Sequence, residues 1–219
     1  MTFHDRTHAG RLLAGFLGHY ADRPDVLVLG LPRGGVPVAF EVAQELHVPM
    51  DIFLVRKLGV PGHEELAMGA IASGNVRVLN QETIDFLRIS DKTIERVAAE
   101  EERELRRREA LYRGGRPRPV IQDQTIILVD DGLATGSTMK AAAEALRRQS
   151  PARIVVAVPV AAGATCQEFE AFVDEVVCAE TPSPFHAVGM WYEDFSQTSD
   201  QEVQRLLDEA AHHKPVGSR

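Results

Sequence analysis

Apolar residues recur along this chain in two rhythms. Over residues 5–20 they fall at Ala9, Leu12, Leu13, Phe16, Leu17 and Tyr20, the stripe of a helix with one buried face, and Asp5 is placed to cap it. Residues 26–29 form instead an unbroken apolar run, read as a buried strand, and residues 38–46 return to a helical pattern. Residues 52–55 read as another strand, followed by extended pieces over 66–72 and 76–79. Residues 126–129 and 154–158 are apolar, β-branched and continuous, as parallel strands covered on both faces should be. Met139, Ala142, Ala143 and Leu146 lie at helical spacing between them, and residues 173–179 read as a last strand. Strands separated by helix-length segments predict an α/β fold with an open, mainly parallel twisted sheet flanked by helices.

Residues 81–118 break this rhythm. Their centre, from Glu100 to Glu109, mixes charges of both signs on helix-favouring residues, which predicts a helical pair or one long helix ending near Gly114, Gly115 and Pro117. A solvated helix with i,i+4 ion pairs is the first reading of this insertion. Subunit contact, which would make the chain a homodimer, is the second. Residues 199–202, Ser-Asp-Gln-Glu, read as a capping box opening a final amphipathic helix with Val203, Leu206 and Leu207. One domain is expected over residues 1–209, and residues 210–219 read as a fraying, disordered tail.

Length and charge narrow the function class. The 219 residues are 44% hydrophobic, enough for a well-packed core, and the net charge of −8 argues against a nucleic-acid partner. No apolar run approaches the ~20 residues that would span a bilayer, and the polar N-terminus does not read as a signal peptide. Cys166 and Cys178 are too few for a disulfide framework and too far apart for a metal pair, so reduced core thiols in a cytoplasmic protein are expected.

Candidate chemistry concentrates in residues 125–138, where an apolar run ends in Asp130 and Asp131 and continues as Gly132, Leu133, Ala134, Thr135, Gly136, Ser137 and Thr138. A strand, an acidic corner and a turn opening a helix suit a phosphate monoester, because free amides and the helix dipole favour an anion there. Two carboxylates beside a phosphate need their own purpose. A ribose diol supplies one, since each carboxylate accepts a hydroxyl hydrogen bond, and magnesium together with the loop amides would offset the repulsion. A nucleotide-triphosphate loop of the Walker type would need Lys where Ser137 follows Gly136.

This string resembles the 5-phosphoribosyl 1-diphosphate (PRPP) signature of type I phosphoribosyltransferases. The resemblance implies that Asp130 and Asp131 are ribose ligands, with magnesium nearby held directly or through ribose or water, and that residues 134–138 cradle the 5-phosphate. It implies that Gly30-Leu-Pro-Arg33-Gly34-Gly35 grips pyrophosphate around a non-proline cis peptide near Arg33. Arg56 and Lys57, at the end of the strand read over 52–55, would meet the same leaving group, with Lys57 the better candidate. Residues 59–65 read either as a surface loop or as a mobile lid, in which His63, Glu64 or Glu65 would act.

In the same family a small hood covers the acceptor, here residues 182–209, and Trp191 or Tyr192 would supply a stacking ring or else anchor the tail; the first helix would share in this hood. Hypoxanthine and guanine enzymes carry Asp where this chain has Ala134, which disfavours those bases. The whole most resembles predicted phosphoribosyltransferases of unassigned acceptor. It implies a PRPP-dependent transferase acting on a nitrogen acceptor such as a nucleobase. The rivals are a non-catalytic PRPP or nucleotide sensor and a phosphoribosyl-recognising hydrolase or phosphorylase.

Overall fold

The structure, a computed structural model, describes residues 2–212. Five strands form a parallel sheet: β1 (Val26–Gly30), β2 (Met50–Ile52), β6 (Thr125–Val129), β7 (Arg153–Val160) and β8 (Glu175–Glu180), in the order β2-β1-β6-β7-β8. Every residue of β1 and β6 is buried, because helices cover both faces. Alternate residues therefore feed two cores. Leu27, Leu29, Ile126, Leu128, Ile154 and Val156 face α5 (Ser137–Arg147), which contributes Met139, Ala142, Ala143 and Leu146. Val26, Val28, Ile127, Val129 and Val155 face α1 (Arg6–Phe16) and α2 (Gly35–Leu46). The Asp5 side chain accepts from the His8 amide at 2.8 Å, the expected cap.

The run over 52–55 is not one strand. The Phe53 amide still donates to the Gly30 carbonyl at 3.0 Å, but Val55 already begins β3 (Val55–Val60) of a separate antiparallel sheet with β4 (His63–Ala72) and β5 (Val76–Leu79). Phe53 and Leu54 are both buried, yet in different cores, so their apolarity marks a crossing between sheets. The expected loop over 59–65 is likewise corrected to the tip of the β3–β4 hairpin. Pro61 and Gly62 form its turn, with Gly62 at φ +80°, and Val60 pairs with His63. The side chains of Glu64 and Glu65 lie outside what is described.

The charged segment folds as a helical pair, α3 (Gln81–Leu87) and α4 (Asp91–Arg113), ending at left-handed Gly114. It is less solvated than its charge predicts. Ile94, Val97, Ala98, Leu105 and Tyr112 bury one face beside the antiparallel sheet and α7 (Asp200–His212), while Arg96–Glu100 and Arg108–Glu104 pair outside. The Glu202 amide donates to the Ser199 hydroxyl at 3.1 Å, the expected cap of α7. This helix continues through residues 210–212, so fraying does not begin there; the rest of the expected tail, residues 213–219, lies outside the described residues.

Cys166 and Cys178 form a disulfide rather than two thiols. The cysteine-bearing α6 (Gly163–Phe169) folds back beside edge strand β8, bringing the two Cα atoms within 6.7 Å across a separation of 12 positions. Among the described residues no helix is long and apolar enough to cross a membrane.

Candidate functional site

The carboxyl ends of β1, β6 and β7 meet at one corner, the place where open parallel sheets bind ligands. β6 delivers Asp130 and Asp131 there. The Leu133 amide donates to the Val160 carbonyl at 2.9 Å and the Ala162 amide to the Leu133 carbonyl at 3.0 Å, so the acidic loop is strapped to the end of β7. Gly136 follows at φ +70°, and a Cβ there would meet the Phe169 ring at 2.5 Å. Both conformation and space thus require glycine at the mouth of α5. Thr165 of α6 donates its hydroxyl to the Ala134 carbonyl at 2.7 Å, supporting the same turn.

The loop after β1 packs directly on the acids. The Leu31 amide donates to the Val129 carbonyl at 2.9 Å, and the Pro32–Arg33 peptide is cis. A Cβ on Gly34 would fall on Asp131 Oδ2, and one on Gly35 would sit 2.7 Å from the Val129 carbonyl oxygen and 2.9 Å from Asp130 Cα. These two positions read as an anion turn from the sequence. In the fold they also let one ligand-facing loop lie against another.

Burial pushes Asp130 well above the usual carboxylate range, and the charge of Asp131 adds to it. Burial also raises Asp131, against the opposing pull of Arg6. Arg6, absent from the sequence-derived set, donates to Asp131 Oδ2 from Nε at 2.9 Å and pairs with it through Nη2 at 2.9 Å. Its Nη1 donates to the Ser196 carbonyl at 2.7 Å, and its guanidinium carbon lies 4.1 Å from the Phe195 ring centroid.

The remaining expected residues divide. Lys57 reaches the mouth of α5, where Nζ donates to Ser137 Oγ at 2.7 Å. Beside it a cleft of about 800 Å³ opens, lined by Lys57, Thr135, Ser137, Lys140 and Asn80 among others. Arg56 neighbours Lys57 on β3, where successive side chains point to opposite faces, and its Nε donates to Glu101 of α4 at 2.6 Å. Arg33 extends its guanidinium toward Asp200, at 3.8 Å, at the start of α7. Thr138 stays exposed in the first turn of α5, and a Cβ on Gly132 would collide with Val188 of the tail.

Tyr192 is buried and serves as an anchor: its hydroxyl donates to the Asp131 carbonyl at 2.5 Å, and its ring packs on Phe3 and Phe195 with centroids 5.3 and 5.0 Å away. Burial accordingly raises its phenol beyond the ordinary range. Trp191 is half-buried, with Nε1 lacking a hydrogen-bond partner among the described residues. Tyr192→Phe is expected to cost about 1 kcal/mol of folding stability, the net worth of one hydrogen bond, with the fold intact. Urea denaturation measures this, and an unchanged midpoint would remove the anchoring role.

Among the described residues no group of three His, Cys, Asp or Glu side chains converges as a metal cage. Asp130 and Asp131 fit a different arrangement, in which one or two carboxylates share magnesium with a substrate's phosphates.

Residues 5–193 match the family model described as phosphoribosyl transferase domain. Two relatives from Mycobacterium tuberculosis, strains CDC 1551 and H37Rv, named "Putative phosphoribosyl transferase MT0597" and "Putative phosphoribosyl transferase Rv0571c", are each 46% identical over 208 residues. These matches cover 95% of this chain but 47% of each relative, so the chain spans about half their length. The crystal structure of TT1426 from Thermus thermophilus is 43% identical, superposes with a TM-score of 0.85, and matches over 95% of this chain and 99% of its own.

Proposed function

Since the chain belongs to the phosphoribosyl transferase domain family, we propose that it binds PRPP and transfers the 5-phosphoribosyl group to a nitrogen acceptor, releasing pyrophosphate with inversion at the anomeric carbon. Asp130 and Asp131 accept hydrogen bonds from the ribose hydroxyls. Ala134, Thr135, Gly136, Ser137 and Thr138 wrap the 5-phosphate at the positive end of α5, and Gly132 and Leu133 lead into that turn from the acidic corner. Arg33, Gly34, Gly35 and Lys57 line the pyrophosphate site; the charges of Arg33 and Lys57 and the turn's amides before Gly35 stabilise negative charge as it develops on the leaving group, while the Gly35 amide donates to the Leu31 carbonyl at 3.0 Å. Asp130 and Asp131 are the residues that would hold magnesium, directly or through ribose or water, and the ion would supply positive charge against the pyrophosphate.

One observation carries this reading: the Gly34–Gly35 turn is packed against Asp130 and Asp131 without space for a Cβ. A ligand held there meets an anion turn, a pair of hydroxyl acceptors and a second anion turn together. This order matches pyrophosphate, ribose diol and 5-phosphate. Holding all three at once is how such a site would position the anomeric carbon for attack.

The acceptor is read as a nucleobase approaching from the side of residues 185–196, with Trp191 as its stacking surface. Ala134, where hypoxanthine and guanine enzymes place an acid, argues against those two bases. The deciding experiment measures pyrophosphate release from magnesium and PRPP across a panel of nitrogenous bases. Release with one base supports the transferase. PRPP binding without release on any base favours a regulatory PRPP-binding protein, and ribose 5-phosphate as the product favours a hydrolase.

Lys57 gives a sharper check. Lys57→Met is expected to lower kcat/KM about 100-fold, the scale for one lost electrostatic donor, while the denaturation midpoint holds because the side chain is exposed. Full activity in this variant would remove Lys57 from the leaving-group site.

A further inference from the structure

Asp131 is the point where the donor corner and the C-terminal segment meet, and they touch it at different atoms. Tyr192 holds its backbone carbonyl, a group that a ribose hydroxyl at the carboxylate does not engage. Arg6 holds Oδ2 of the carboxylate itself through two nitrogens, leaving Oδ1 free of Arg6. The same guanidinium carries the Ser196 carbonyl and covers the face of Phe195. A Cβ on Gly34 would lie 3.3 Å from Arg6 Nε, so the side chain also borders the anion turn after β1. Its own exposure is 12% and that of Asp131 16%, so this junction is largely shielded from water.

Three features suit Arg6 to this position. The planar fork can hold a carboxylate edge and a carbonyl together, which a lysine ammonium cannot do in the same geometry. Its root at the first residue of α1, just after the capping Asp5, holds the stem to a rigid element. Its partners Phe195 and Ser196 follow Tyr192, the anchored residue, and Tyr192 follows Trp191. A shift of the Asp131 carboxylate therefore reaches Phe195 and Ser196 through Arg6, while Tyr192 holds the Asp131 backbone separately.

Resting on the PRPP reading above, we propose that Arg6 is a positioning residue that sets the 191–196 segment, and so the acceptor side, according to whether PRPP occupies Asp131. It acts through Asp131 Oδ2 and the Ser196 carbonyl and takes no part in bond making.

Trp191, the chain's single tryptophan, reports on this segment directly. The test titrates magnesium–PRPP into the full chain while following heat by calorimetry and Trp191 emission, for wild type, Arg6→Gln and Arg6→Lys. Wild type is expected to bind with a change in emission. Arg6→Gln should bind about tenfold more weakly, the scale of one charge-assisted hydrogen bond, and lose the emission change at saturation. Arg6→Lys should lose less affinity, because it keeps the charge, yet still lack the emission change, because it cannot bridge both partners. A merely structural role would lower the melting temperature of both variants and leave the emission change at saturation. That result, or an undiminished emission change in either folded variant, overturns the proposal while leaving PRPP binding in place. Heatless titration of wild type, confirmed by no protection against thermal unfolding at high PRPP, overturns the donor reading and this proposal with it.

Discussion

Gly34→Ala should abolish measurable PRPP binding and destabilise the fold by about 3 kcal/mol, although it adds a single methyl group. Backbone conformation is not the cause, since Gly34 lies at φ −62°, a value any residue adopts. Space is the cause: the added Cβ would fall on Asp131 Oδ2, with Asp131 Cγ at 2.7 Å and Arg6 Nε at 3.3 Å. Either the anion turn retreats or the carboxylate leaves Arg6. The first opens the clamp between pyrophosphate and ribose; the second strands two shielded charges, whose separation is what makes broken internal ion pairs expensive. Gly15→Ala provides the contrast, because its added Cβ meets nothing within 4 Å beyond its chain neighbours and the helix's own backbone, and the position lies in the last turn of α1. It should stabilise by roughly 0.5–1 kcal/mol through reduced freedom of the unfolded chain. Guanidinium denaturation and PRPP calorimetry on both variants check the pair. A Gly34→Ala protein that binds PRPP like wild type would refute the close packing of the two loops as a functional requirement.

The parts of this arrangement that were legible in the sequence are those whose physics is local or periodic. β1, β6 and β7 announce themselves because burial on both faces leaves no polar position over residues 26–29, 126–129 and 154–158. The acidic corner and the two glycine turns follow strands directly, so their place at carboxyl ends comes with the strand assignment, and the cis peptide fell at Pro32–Arg33 as the family resemblance implied. The break at Phe53–Leu54 was not legible, since two adjacent buried residues look alike whether they serve one core or two. The hairpin tip over 59–65 was missed because the β3–β4 register shifts on either side of Gly59, which breaks the alternation that would mark a strand there.

Long-range partners were the hardest to see. Arg6 and Asp131 are 125 positions apart, and an arginine just after a helix cap looks like an ordinary exposed first-turn residue. The alternating faces of β3, which give Lys57 to Ser137 and Arg56 to Glu101, could have been anticipated only with that strand placed. Cys166 and Cys178 became neighbours only when α6 turned back along β8.

Asp130→Asn should separate stability from function. The carboxyl is raised chiefly by burial and further by the charge of Asp131, so the folded protein holds this proton to higher pH than the unfolded chain, whose aspartates titrate near ~4. The folded state binds more protons above that pH, and stability from this group falls as pH rises toward its folded value. Asparagine removes the penalty while keeping the oxygen that accepts from the Asp131 amide, a bond of 2.9 Å in the native protein. The variant should therefore melt about 2–4 °C above wild type near neutral pH, corresponding to about 1 kcal/mol in a chain of this size, with the gap closing toward pH 4. PRPP affinity should fall about 100-fold, because the amide replaces one of the two carboxyl oxygens available to the ribose hydroxyls with a donor that cannot accept from them. Melting curves across pH 4–8 beside PRPP titrations resolve the two effects. Lower stability at neutral pH would show that Asp130 is held as a satisfied anion, in which case its burial serves the fold. The expected opposite result means that the acid is kept against the interest of stability, which is what a group retained for a ligand should show.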